Sequence, residues 1–392
     1  MGKSHGKPMI IILMIQFLVM VGFGIIIPIL PFYIEKLGGG PAALGIFMSV
    51  YSVMQFFFAP LWGRLSDRIG RRPVLLIGLC GYGVTFILFG LANNIWLLIG
   101  IRALAGMVSS ATLPTAMAYL TDITEEGERA KSMGMVGAAM GLGMVFGPAL
   151  GGWLGHYSIS APFFAAGGIA LTLLPIAWVL LPETLKQPIT RSDAKVIRIN
   201  RDVLNNPLFF LFIFYFVSYF AMATFEGTFS LLAKDAVGIG PKQMGTIFAL
   251  IGIIGVIVQG GLIGRLVKAF GDAKVAKYGA WVSAIGLLLV MLASSRMTLI
   301  LATAVFMVGN SVMGPTCSSL ATKNATTGQG ASLGLLQSFG SLGRIVGPVL
   351  GGALYGVNMR LPYLIGATTL LLTVLVGNRK IAQYEKVRVR QV

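Results

Sequence analysis

Residues 63–72 read GRLSDRIGRR, four arginines and an aspartate beside two glycines, and no charged residue occurs between Lys36 and this stretch or between it and Arg102. A dense island of charge in an otherwise silent region is what a short connection between two membrane crossings requires. The flanking segments, 43–62 and 73–92, are each about 20 residues long, the length at which a helix spans the hydrocarbon core. Working outward, the same alternation of long apolar run and short polar break recurs along the chain.

The whole sequence of 392 residues is 56% apolar and only 11% charged, with a mean hydropathy of +0.84; soluble domains carry about 25% charged residues. Apolar runs are read at 9–34, 43–62, 73–92, 96–120, 133–155 and 162–182. Six more follow at 207–233, 242–264, 278–294, 298–320, 331–355 and 361–378. They lack the strict alternation of barrel strands, and backbone groups in lipid must find partners within their own segment, so the crossings are helical. The expected fold class is therefore an all-α membrane protein of twelve transmembrane helices. The first run is too long for a signal peptide and shows no small-residue cleavage site, so it is expected to remain in the mature chain.

Net charge is +17. In a soluble protein that excess suggests nucleic acid, but here position decides. With both termini cytoplasmic, the tails and inner loops hold 23 of the 30 Lys and Arg residues and the outer loops hold five. This asymmetry is the positive-inside pattern. It predicts a multi-pass protein of the cell membrane with cytoplasmic termini, and it excludes a nucleic-acid partner. Cys80 and Cys317 fall in apolar runs as packing residues rather than a disulfide. The two histidines, His5 and His156, lie far apart, and no cluster suits a metal or a nucleophile with its base, so neither metal, organic cofactor nor enzymatic activity is expected.

The chain also repeats. GPALGG at 147–152 returns as GPVLGG at 347–352 and APFF at 161–164 as LPYL at 361–364, both displaced by 200 residues; GRL at 63–65 returns at 264–266, displaced by 201. Two six-helix halves follow. Residues 1–182 form one, 183–206 a polar cytoplasmic linker, 207–378 the other and 379–392 a cytoplasmic tail. Paired halves are a recurrent transporter plan, with cargo bound between repeats near the bilayer midplane.

Four motifs make the resemblance specific. GRLSDRIGRR between the second and third helices resembles the signature loop of the major facilitator superfamily. LLIGIRALAG (97–106) is similar to its fourth-helix motif with a buried arginine, GLGMVFGPALGG (141–152) to the fifth-helix motif of its antiporters, and GFGIIIPILP (22–31) to the first-helix ending of its drug:proton antiporter branch. The resemblance implies a two-half major facilitator fold. It further implies that Gly63, Asp67, Arg68, Gly70, Arg71 and Arg72 act with Arg64 as a conformational latch at the cytoplasmic ends of the helices. In the second copy Lys268 stands where Asp67 would, so only the first latch is expected to be complete. Gly143, Gly147, Gly151 and Gly155 recur every fourth residue and share a helix face that admits close packing. With Pro148, the antiporter resemblance makes Gly143, Gly147 and Gly151 a hinge.

Of the 13 acids, only Glu226 falls within a predicted crossing away from its ends. A charge at that depth costs about 2.5–3.5 kcal/mol on insertion scales, so it is expected to face a cavity with a partner. Arg102 and Arg344 are the two intramembrane cations. These three are the expected proton-coupling residues, the proton being the coupling ion. Glu226, Arg344, Gln55, Tyr51, Phe225, Asn310 and Gln337 are the expected cargo-binding residues, and methionines and aromatics nearby suit a permissive pocket. The resemblance implies a proton-coupled efflux antiporter for small, largely apolar molecules, working as a monomer. Val19 and Thr85 stand where tetracycline exporters carry acids, which argues against that cargo. A proton-linked symporter or facilitator for a sugar or other polar metabolite is the alternative, since a second intramembrane arginine suits a defined polar cargo. A receptor or scaffold without transport is the other, disfavoured by the absence of large loop domains.

Overall fold

A computed structural model describes residues 6–185, 208–325 and 329–386, and their regular structure is helical throughout, without a strand among the described residues. In chain order the helices are α1 (Gly6–Lys36), α2 (Pro41–Ile69), α3 (Arg71–Leu91), α4 (Ile95–Ser109), α5 (Thr112–Ile123), α6 (Arg129–Tyr157) and α7 (Ala161–Leu180). They continue as α8 (Phe209–Val237), α9 (Pro241–Ile257), α10 (Ile263–Phe270), α11 (Asp272–Leu292), α12 (Arg296–Lys323), α13 (Gln329–Val357) and α14 (Leu361–Lys386). Among the described residues eleven helical stretches are long and apolar enough to cross a membrane, and Leu361–Gly377 is a shorter apolar one. Of the expected linker only 183–185 are described, and the tail beyond 386 lies outside the described residues.

Two of the twelve expected segments are broken. The fourth divides between α4 and α5 at Ser110 and Ala111. Pro114 has no N–H to offer the carbonyl four residues earlier, that of Ser110, so the ladder opens there. Thr112 Oγ1 donates to the Ser109 carbonyl (2.8 Å) and Ser110 Oγ to that of Met107 (2.7 Å) across the break. The eighth continues from α9 into α10 through a π-helical turn, Val258–Leu262, where the Gly260–Gly261 pair permits the wider winding.

The charged stretch at 63–72 differs more from expectation. It is a helix, not a loop: α2 runs to Ile69, α3 begins at Arg71, and only Gly70 stands between them. Gly70 has φ 108° and Gly271, the corresponding residue between α10 and α11, has φ 82°. Both positions need a residue without a Cβ.

The described residues pack as two compact units. The first draws on 6–43, 50–185 and 240–252, the second on 44–49, 208–239, 253–325 and 329–386. The start of α9 packs with the first unit and a short piece of α2 with the second.

Each unit has the same spine. In the first, α6 lies along α1; in the second, α13 lies along α8. Cβ atoms placed on Gly143, Gly147 and Gly151 would stand 2.5–2.6 Å from the carbonyl oxygens of Phe17, Val21 and Ile25, one helical turn apart each. Cβ atoms on Gly343 and Gly347 would stand 2.7 and 2.8 Å from those of Phe216 and Phe220. Backbone meets backbone along both rows, which is what four-residue glycine spacing provides. Aromatic clusters add to the packing, Phe86 with Phe89 and Phe163 in edge-on and tilted contacts in one unit, and Phe225 stacked on Phe229 and tilted against Phe306 in the other.

Candidate functional site

In the second unit the middle of α8 carries Glu226. The residues around it on this helix are buried, except for a stripe of partly exposed side chains at Phe216, Tyr219, Met222 and Glu226, three to four residues apart and so on one face. Arg344 of α13 is the charged group that acts on Glu226 electrostatically. Its guanidinium lies 4.8 Å from the ring centre of Tyr219, and Nη2 donates to Ser341 Oγ at 3.2 Å. Tyr215 Oη donates in turn to Tyr219 Oη at 3.2 Å. Asn310 on α12 is partly exposed and Gln337 on α13 exposed. Phe225 is not part of this open face. It is 1% exposed, with its ring centre 4.5 Å from that of Phe229 and 4.7 Å from that of Phe306. One residue along a helix is a rotation of about 100°, enough to move an aromatic from the open stripe to the core.

Arg102 belongs to the first unit. It is 2% exposed, and its guanidinium lies 4.2 Å from the ring centre of Tyr51, whose hydroxyl is 3.0 Å from Ser109 Oγ. Val19, Phe23, Tyr82, Phe86 and Ala105 complete the wall of a cavity there of about 10 Å³, the space of roughly one water. A desolvated cation against an aromatic face is a stable arrangement, and this one is closed to anything of drug size. Gln55, one turn along α2 from Tyr51, is partly exposed.

The latch residues gather at the junction of α2 and α3. Arg71, 5% exposed, pairs with Asp67 and reaches Asp122 Oδ2 at the end of α5 (3.3 Å), and its Nη1 donates to Ser66 Oγ (2.9 Å). Glu183 closes the network: its two oxygens accept from the backbone N–H groups of Arg71 (2.9 Å) and Arg72 (3.1 Å). Arg72 lies 5.3 Å from the Trp178 ring centre and donates to that residue's carbonyl. Arg68 sits in the last turn of α2, and a Cβ at Gly63 would meet open space. In the second unit, Lys323 at the end of α12 pairs with Asp272 at the start of α11. These are the positions of Asp122 and Arg71 displaced by 201, with the charges exchanged.

A sequence model described as Major Facilitator Superfamily matches residues 12–263 and 211–383. The chain belongs to the major facilitator superfamily. It is similar to Multidrug resistance protein 2 of Bacillus subtilis, with 30% identity over 361 residues that cover 91% of this chain and 90% of that one. It is also similar to the Quinolone resistance protein NorA of Staphylococcus aureus, 27% identical over 350 residues, or 88% and 89% of the two chains. Among solved structures it matches the nucleoside transporter NupG with a TM-score of 0.82, covering 95% and 99% of the chains at 13% identity. This last likeness concerns the fold.

Within this superfamily frame, the expected hinge separates into two surfaces. Gly143, Gly147 and Gly151 face α1, as above. The carbonyl of Pro148 and Gly152 face α9: a Cβ on Gly245 would stand 2.6 Å from the Pro148 oxygen and 2.8 Å from the Gly152 Cα. The second unit repeats the contact, where a Cβ on Gly45 would collide with the Pro348 carbonyl and Ser49 Oγ donates to the Ile345 carbonyl at 2.6 Å. Gly45 and Gly245 were missed in the sequence, as were Asp122 and Glu183. Only the displacement of 200 already visible in GPALGG and GPVLGG pointed toward the glycine pair.

Proposed function

We propose that the protein is a proton-coupled, multidrug-type exporter in which Glu226 carries the coupling proton. The carrying observation is a lone mid-helix carboxylate on the open stripe of α8, acted on by Arg344. A carboxylate in that position can hold a proton or meet cargo, and each ligand can favour a different state of the carrier. The relatives named for multidrug and quinolone resistance support the efflux direction. Arg102, set against Tyr51 and Ser109 in a cavity of single-water size, is assigned to proton coupling rather than to contact with cargo. Cargo and proton would alternate on the second-unit face.

Both termini are assigned to the cytoplasm, on the distribution of basic residues. Thiol labelling from outside should reach an engineered cysteine at Gly39 and miss one at Ser192. The test of function is purified protein in liposomes with an imposed pH gradient and a fluorescent aromatic dye. Dye movement opposite to the proton supports the exporter. Movement with the proton supports the symporter reading, which the second intramembrane arginine favours.

A further inference from the structure

We propose that Arg344 is an anchor for carboxylate-bearing aromatic cargo, and that Glu226 is the internal anion with which such cargo competes. The inference deepens the export reading and rests on it for the word cargo; the binding it describes does not require transport.

The geometry supplies three parts. First, the guanidinium carbon lies 4.8 Å from the Tyr219 ring centre, and Nη2 is tied to Ser341 Oγ. Arginine has five N–H donors in a planar fork, and stacking uses the face while leaving the edge for a bidentate acceptor. Tyr219 is itself steadied by Tyr215, 4.6 Å away between ring centres and donating to its hydroxyl. The cation is thus positioned by groups other than Glu226.

Second, the surroundings are aromatic and open on the same side. Phe216 and Tyr219 lie on the accessible stripe of α8 one turn apart, and Gly340 of α13 is packed onto the Tyr215 ring, where even a Cβ would stand only 2.6 Å from a ring carbon. A flat apolar body with an acidic group at one end can place its ring against the stripe and its carboxylate on the fork.

Third, the local charges favour an anion. Glu226 and Arg344 balance each other while both are ionised. When Glu226 carries a proton or is replaced by an amide, the partly buried arginine is left as a net positive charge that favours charge-assisted hydrogen bonds. With Glu226 neutral, a lipophilic cation meets the repulsion of Arg344, so a permissive aromatic face becomes selective by charge.

The experiment compares three probes that share one aromatic body: 1-pyrenebutyrate, 1-pyrenebutanol and its trimethylammonium counterpart. Binding to the detergent-solubilised full chain is read by pyrene fluorescence. The parent protein is expected to bind the carboxylate about tenfold tighter than the ammonium. Arg344→Gln should collapse the carboxylate-to-alcohol affinity ratio about tenfold, and Arg344→Lys should restore part of it. Glu226→Gln should raise the ratio, because the internal competitor is gone. Should Arg344→Gln fail to fold, Ser341→Ala, which removes only the hydroxyl that steadies the fork, should lower the ratio in the same direction. Equal affinity for the three probes, preference for the ammonium, failure of the carboxylate to bind, or a ratio unchanged by the Arg344 and Ser341 substitutions overturns the proposal. Export of the same probes from liposomes is measured separately: binding with charge preference but no gradient-driven export removes the exporter reading and leaves the carboxylate site standing.

Discussion

Gly245 rests directly on the carbonyl of Pro148, and Gly45 rests in the same way on that of Pro348. The two contacts are one contact made twice, since each residue of the first pair lies 200 from its counterpart in the second. Glycine on the facing helix admits the backbone, since it carries no Cβ to hold the two chains apart. A Cβ at Gly245 meets backbone atoms, which cannot move aside as a flexible side chain can.

Gly245→Val should therefore disfavour the approach of α9 to α6. Overpacking of this kind costs about 1–3 kcal/mol. The expected outcome is export of a fluorescent dye reduced at least about tenfold with normal membrane yield, and Gly245→Ala should show a smaller effect in the same direction. Full activity in Gly245→Val would mean that this approach is not used in the cycle.

Gly147→Leu should behave differently. That glycine faces Val21 of α1 along the spine of the first unit, so the larger side chain attacks folding rather than cycling. Reduced yield and a lowered melting temperature in detergent are expected, and Gly347→Leu should do the same through Phe220. A stable but inactive Gly147→Leu protein would instead return this row to the hinge.

The exchanged pairs Arg71–Asp122 and Lys323–Asp272 permit a sharper test. Asp272 lies at the N-terminus of α11 and Lys323 at the C-terminus of α12, so both charges agree with their helix dipoles. Arg71 and Asp122 oppose theirs, and Glu183 compensates by accepting from the first N–H groups of α3. Reversing the second pair, as Asp272→Lys with Lys323→Asp, keeps the ion pair but turns both charges against their dipoles without a compensating acid. It should lower stability by roughly 0.5–2 kcal/mol. In the first unit, Glu183→Gln should destabilise by about 1 kcal/mol, and Asp67→Asn should slow turnover while binding of a dye stays near that of the parent. A reversed pair as stable as the parent would show that dipole alignment does not govern these ends.

Much of this was legible in the sequence because it follows from composition and period. Apolar length marked the segments, and the displaced repeats marked the correspondence of α6 with α13 and of the two halves. The charged stretch misled because a helix can carry Arg64, Asp67 and Arg68 at its end as readily as a loop can; only Gly70 marks the turn. Phe225 misled because adjacent residues on a helix do not share a face: Glu226 lies on the partly exposed stripe and Phe225 in the core. Glu183 and Asp122 were invisible as partners of Arg71 because sequence separations of 112 and 51 residues leave no local pattern. The pairing of Arg344 with Tyr219 was hidden for the same reason, although each residue taken alone stood out or followed the helical period.

The last prediction concerns Glu226. Its neighbours on α8 are buried, it stands on the open stripe, and Arg344 acts on it from α13 while being held by Tyr219 and Ser341. Two roles fit a lone membrane carboxylate. If it is a static partner, it balances the arginine, and breaking a buried pair by removing one charge is strongly destabilising, by about 3–5 kcal/mol. If it is the coupling group, its charge must come and go in each cycle, and the fold must tolerate the neutral form; the separate anchoring of Arg344 is what such tolerance requires. Glu226→Gln imitates the protonated side chain permanently. The coupling role predicts a protein that inserts, remains monodisperse and binds neutral dye, yet shows no uptake or release driven by a pH gradient in liposomes, while counterflow of dye against dye persists. Glu226→Asp should retain part of the gradient-driven flux, since it keeps the titratable group. The static role predicts the reverse: poor yield of Glu226→Gln, with the surviving protein still driven by the gradient. Undiminished gradient-driven export in Glu226→Gln liposomes would remove Glu226 from the coupling mechanism.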